Sequence, residues 1–160
     1  MVKGVDYVTA GQKSGTTLGT KATAEGTDTT ASGYGSHAEG SSTTASSSDS
    51  HAEGYGTTAS GPYSHAEGDS TIASGVRSHA EGGYTTASGM YGHAEGGYTT
   101  ASGQSAHAEG YETTAQTKSQ HVFGEYNVLD TAGTTTTRGT YVEIVGNGTS
   151  STRSNARTLD

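Results

Sequence analysis

Cysteine and tryptophan are absent from this 160-residue chain, which holds one proline, one phenylalanine and two methionines. Without cysteine there is no disulfide scaffold, thiolate metal site or thiol nucleophile. Hydrophobic residues make up 28% of the chain, and alanine is the most frequent of them. That is too few large side chains for an ordinary core. No apolar run approaches the ~20 residues of a bilayer-spanning helix, and Met1–Ala10 lacks the apolar stretch of a secretory signal. Basic residues are also scarce: 8 against 16 acidic ones, a formal net charge of −8 with neutral histidine. This balance argues against nucleic acid, whose binding rests on Lys and Arg neutralising phosphates, and against an anionic membrane surface.

Glycine (26 residues), serine and threonine fill much of the remainder. An aperiodic chain of this composition would read as disordered. This one is strictly periodic. Ser36-His37-Ala38-Glu39-Gly40 recurs as His-Ala-Glu-Gly at His51, His65, His79, His93 and His107, every 14 residues, and all seven histidines fall on the lattice that ends at His121. Thr-Thr-Ala-Ser-Gly travels with it, as at Thr29–Gly33, Thr57–Gly61 and Thr99–Gly103. Such a period marks stacked identical units, whose small side chains pack tightly without large apolar groups.

Each unit has room for two short strands and two glycine corners. Alternation along a strand puts Ser36, Ala38 and Gly40 on one face and His37 and Glu39 on the other. In the second strand Thr43 and Ala45 oppose Thr44 and Ser46. With the small residues inward, the fold class is all-β: a parallel β-roll or solenoid with 14-residue turns, stacked at ~4.8 Å. So thin a coil buries little apolar area per turn and calls for a partner surface.

The outward residues form a ladder: His37, Glu39, His51, Glu53, His65, Glu67, His79, Glu81, His93, Glu95, His107 and Glu109. Carboxylates stacked at ~4.8 Å repel by roughly 3–4 kcal/mol per neighbour pair at an effective dielectric of 20, and by about 1 in water. The adjacent histidines offset this, within the chain or across an interface, so the ladder is expected between protomers. A Glu partner would raise each folded histidine pKa above ~6.5 and stabilise the fold below that value, although stacked imidazoliums oppose the rise. His and Glu are also zinc ligand types. Repetition at every turn argues against a dedicated site, so no metal and no cofactor are expected. Identical layers likewise lack the asymmetric constellation of an enzyme.

Two further features remain. The Thr pairs, such as Thr29-Thr30, Thr57-Thr58, Thr85-Thr86 and Thr99-Thr100, have the layout of an ice-binding face, against which stands the ordinary suitability of Thr for strands. Tyr34, Tyr55, Tyr63, Tyr84, Tyr91, Tyr98 and Tyr111 lie at variable corners and are candidate contacts for carbohydrate or protein.

Over residues 23–124 the unit resembles the head repeat of trimeric autotransporter adhesins, the YadA-like head. Ser36-His37-Ala38-Glu39-Gly40 stands where that family has Ser-Val-Ala-Ile-Gly. The resemblance implies a left-handed roll assembled as a parallel trimer, with His and Glu at positions that face neighbouring chains. The His-Ala-Glu-Gly variant is similar to repeats of phage and prophage tail proteins. Gly124-Glu125-Tyr126-Asn127, Tyr141–Thr149 and Arg153–Asp160 resemble the segment that joins such repeats to a C-terminal intramolecular chaperone. The implied organisation is an N-terminal cap (1–22), the repeats (23–124) and a short β-rich C-terminal segment (125–160) leading toward a chaperone. The implied function is a non-enzymatic, receptor-binding fibre segment exposed on a virion tail. A cell-surface adhesin is the alternative, and an ice-binding solenoid the second. The implied partners are the chain itself and a host-surface carbohydrate or protein, with no nucleic acid and no membrane.

Overall fold

The computed structural model describes residues 8–160; residues 1–7 of the expected N-terminal cap lie outside the described residues. Among the described residues every regular element is a strand or bridge. The chain winds as a parallel β-solenoid with a 14-residue turn. His37–Ser41, His51–Tyr55, His65–Asp69, His79–Gly83 and His93–Gly97 pair in parallel, His on His, Ala on Ala and Glu on Glu. A second parallel sheet stacks the two-residue strands Thr44–Ala45, Thr58–Ala59, Ile72–Ala73, Thr86–Ala87, Thr100–Ala101 and Thr114–Ala115.

Alternation decides what is inside. Ala38, Ala52, Ala66, Ala80 and Ala94 of the first sheet and Ala45, Ala59, Ala73, Ala87 and Ala101 of the second are fully buried. Ser36 and Thr43, with most of their repeats, are buried beside them. The two sheets meet through methyl groups, which explains how the roll closes without large side chains. The corner serines tie the turns: Ser36 Oγ donates to Gly33 O at 2.9 Å and Ser78 Oγ to Gly75 O at 2.8 Å. The inward Thr43, Thr57, Thr71, Thr85 and Thr99 hydroxyls have no hydrogen-bond partner, whereas Thr113 Oγ1 donates to Glu109 O at 3.0 Å.

The ends depart from the repeat. Val8–Gln12 pairs in parallel with Thr23–Ala31 at a 15-residue offset (Val8 with Thr23), and the register breaks before Gln12. At the other end the sequence separates residues 125–160 from the roll, yet Glu143–Asn147 adds a further parallel rung on His121–Glu125. Val122 continues the alanine column and is covered by Ile144, and both are fully buried. Gly146 and Asn147 belong to this strand. Within the C-terminal segment Asn155–Leu159 runs antiparallel to Glu143–Asn147 of the same chain.

Side chains close the second sheet. Buried Asn127 accepts from Thr114 N at 2.8 Å through Oδ1 and donates to Thr114 O at 3.1 Å through Nδ2, as a further strand would. Buried Asp130 accepts from Tyr141 N at 2.7 Å and Ala132 N at 3.0 Å. The polar segment between the last two parallel rungs therefore leaves no open backbone on Thr114, as edge protection requires.

Candidate functional site

The register of the first sheet places every outward histidine above another. From His37 to His121 neighbouring rings stack at 4.7–4.9 Å with planes within 6° of parallel. The glutamates run alongside, and both columns are about one-third exposed, 35–42% for His and 32–41% for Glu. The structure thus brings all twelve ladder residues onto one face.

Partner choice changes along the rod. His37 and His51 approach the Glu of their own turn, Glu39 at 3.7 Å and Glu53 at 3.9 Å. From His65 onward each Nε2 faces the Glu of the preceding turn. Glu53–His65 is 3.8 Å, Glu67–His79 3.1 Å, Glu81–His93 3.4 Å, Glu95–His107 3.0 Å and Glu109–His121 3.5 Å. Two of these, His79 with Glu67 and His107 with Glu95, are hydrogen bonds. The Nε2 atoms of His37, His51, His65, His93 and His121 are shut off from solvent without a hydrogen-bond partner.

The expected rise in histidine pKa is corrected at two positions. His65 and His93 are held below the ordinary imidazole value, first by desolvation, then by the neighbouring histidines, with the glutamates opposing. Stacking puts like charges on both sides of each ring. A longer carboxylate contact on one side does not offset them.

The tyrosines sort into two edges. Tyr55, Tyr84, Tyr98 and Tyr111 follow the Gly of His-Ala-Glu-Gly, at one corner; Tyr63 and Tyr91 precede Ser-His or Gly-His, and Tyr34 precedes Gly-Ser-His, at the other. All seven are exposed, between 42% for Tyr111 and 61% for Tyr55. On the first edge Tyr84 stacks on Tyr98 at 4.9 Å. Tyr98 meets Tyr111, and Tyr111 meets Tyr126, edge to face at 5.7 and 5.6 Å. Gly97 gives Tyr111 its place: a methyl there would press on the ring at 2.9 Å. On the second edge Arg77 lies between Tyr63 and Tyr91, 5.1 and 5.7 Å from the ring centroids, within cation–π range.

Tyr63, Tyr84, Tyr91, Tyr98 and Tyr126 all have positive φ, between 45° and 58°. This region disfavours a bulky residue and suits Asn or Gly. Aromatic groups thus recur where local conformation works against them. Tyr126 and Arg77 were missed as site residues from sequence. The 14-residue interval from Tyr63 to Arg77 to Tyr91 was the available signal.

The ice-binding layout loses half its residues. Thr29, Thr57, Thr85 and Thr99 are buried, and only their neighbours Thr30, Thr58, Thr86 and Thr100 are partly open. Exposed Ile72 interrupts that outer column.

A family model described as the YadA head domain repeat matches residues 16–36, 24–46, 52–78, 66–91 and 94–115. No curated protein and no solved structure gave a match.

Proposed function

Because the chain belongs to the family of the YadA head domain repeat, we propose that it is a segment of an attachment fibre. It works by binding and by mechanical projection rather than by catalysis. The observation that carries this reading is the family match over stacked, in-register turns whose corners display aromatic groups. Three parallel chains would present each corner in three copies, so that weak single contacts gain avidity. The His–Glu face is proposed as the surface on which the protomers meet. It is long, continuous and only about one-third exposed even in a single chain. Matching columns across the axis would fix the register of the chains.

The finer assignment is a phage tail fibre or appendage, displayed on the virion, with residues 23–124 as the rod and 125–160 as the connector toward a chaperone. It is supported by the His-Ala-Glu-Gly variant and by the resemblance of the C-terminal segment to tail-fibre connectors. The alternative is a cell-surface adhesin of the trimeric autotransporter type. Either way the working location is outside the cell.

Light scattering after size-exclusion chromatography tests the assembly. Three times the chain mass is expected; a stable monomer at micromolar concentration would reject the fibre reading. The tyrosine edge is tested separately on a glycan array. Tyr84→Asn with Tyr98→Asn is expected to lose at least tenfold in binding. Its stability should shift by no more than about 1 kcal/mol, because lost ring packing is offset by relief of the positive φ. Unchanged array binding would remove these tyrosines from the contact surface.

A further inference from the structure

We propose that the His–Glu face is a divalent transition-metal site that uses the chain's own turns as ligands, with capacity for two ions per chain. This departs from the sequence expectation of no metal. It does not depend on assembly, because each ligand set is complete within one chain.

The argument starts from two groups of matching design. In His65–Glu67–His79 and in His93–Glu95–His107, one ligand atom from each residue lies within 4.8 Å of the others. Each group holds one His–Glu hydrogen bond, at 3.1 Å for His79 with Glu67 and 3.0 Å for His107 with Glu95. Each also holds one Nε2, of His65 and of His93, that is screened from solvent and has no hydrogen-bond partner. A ring nitrogen withheld from water beside a carboxylate is the arrangement a cation satisfies.

Two imidazoles and one carboxylate are a donor set suited to zinc and its neighbours in the first transition row. Three protein ligands leave a fourth position for water. Rings stacked at 4.8 Å are too far apart for one ion as they stand, since two Zn–N bonds of about 2.0–2.1 Å at a tetrahedral angle hold their nitrogens about 3.4 Å apart. The two partly exposed rings must tilt toward each other to close the difference. In a neutral histidine the Nε2 proton moves to Nδ1 as the metal binds, so binding releases no proton. The ion also neutralises carboxylates in a column that otherwise repels itself.

Sharing sets the capacity. A third group of the same composition, His107–Glu109–His121, uses His107, which already belongs to the second. Only two of the three fill together. The remaining groups, Glu25–His37–Glu39 and Glu39–His51–Glu53, each offer a single imidazole and form a weaker class.

The test is isothermal titration of the intact chain with zinc chloride at pH 7.5 in a non-coordinating buffer. Chain mass is recorded on the same samples by light scattering, so that assembly is scored apart from metal uptake. Two tight ions per chain are expected. His121→Gln should retain both. His107→Gln should drop to one, because it removes the second and third groups together. Glu67→Gln, which disrupts only the first group, should also leave one, and it keeps the test decisive should His107→Gln not fold. In each case the lost site should weaken at least tenfold. Absence of saturable binding, uptake of one ion per histidine, or equal losses in His121→Gln and His107→Gln would overturn the proposal.

Discussion

Gly68→Ala is expected to cost at least about 3 kcal/mol, and Gly83→Ala, next to the equivalent Gly82 of the following turn, is expected to stabilise slightly. Gly68 has φ near +104°, a conformation that L side chains rarely adopt, and a methyl placed there would overlap the carbonyl oxygen of Gly82 on the next rung. Strain of that kind is worth about 1–3 kcal/mol. The clash adds to it, because the obstacle is the backbone of a neighbouring strand rather than a side chain that can swing away. The same close approach recurs at Gly26, Gly40, Gly54, Gly82, Gly96 and Gly110, so the rungs on either side are locked by their own contacts and cannot yield. Gly83 lacks a positive φ and has nothing within 4 Å of an added methyl. There alanine restricts the unfolded chain and should stabilise by about 0.4–1 kcal/mol. Thermal melts followed by circular dichroism compare the two variants. Equal melting temperatures would mean that the corner glycines are tolerated ornaments rather than a condition of stacking.

The corner glycines, the period and the inward alanines were legible in the sequence because one physical rule produces all three. A parallel stack repeats each residue's environment at every turn, so the residue type repeats too. Ala38 and His37 were assigned to opposite faces by alternation alone, and their burial agrees. What resisted reading lies where the period fails. Glu143 stands 22 residues after His121 rather than 14, which hid the fact that Val122 continues into Ile144. Asn127 closes the second sheet through a side-chain amide, an interaction with no counterpart in the repeats. The two tyrosine edges were hidden for another reason. Tyr84 and Tyr98 take the second position after the glycine, and Tyr111 the first, and only the corner geometry shows that these rings meet on one edge. The shift of glutamate partners from the same turn to the preceding one depends on rotamers, to which spacing is blind.

Acidification through the imidazole range should loosen the rod. His65 and His93 sit below the ordinary imidazole pKa, chiefly through desolvation and then through the rings above and below. Between their folded values and the unfolded value of ~6.5, the unfolded chain binds more protons than the folded one. Stability therefore rises with pH through that window. The penalty is complete below the folded values and absent above ~6.5. The physical source is the column itself. Two imidazoliums at 4.8 Å repel by roughly 0.9 kcal/mol in water-like surroundings, and salt screens part of this because the rings are partly exposed. The flanking Glu53, Glu67, Glu81 and Glu95 oppose the fall without cancelling it. Melting temperature, measured with EDTA present to keep metal out of the comparison, should be flat from pH 9 to 7.5 and drop between pH 6.5 and 5. A double variant, His65→Gln with His93→Gln, should show a shallower drop, since it breaks the charge column at two points. A melting temperature that climbs on acidification to pH 5.5 would mean the opposite sign, with the carboxylates outweighing burial and stacking. It would place the histidines of the assembled rod in a more acidic setting than a single chain provides.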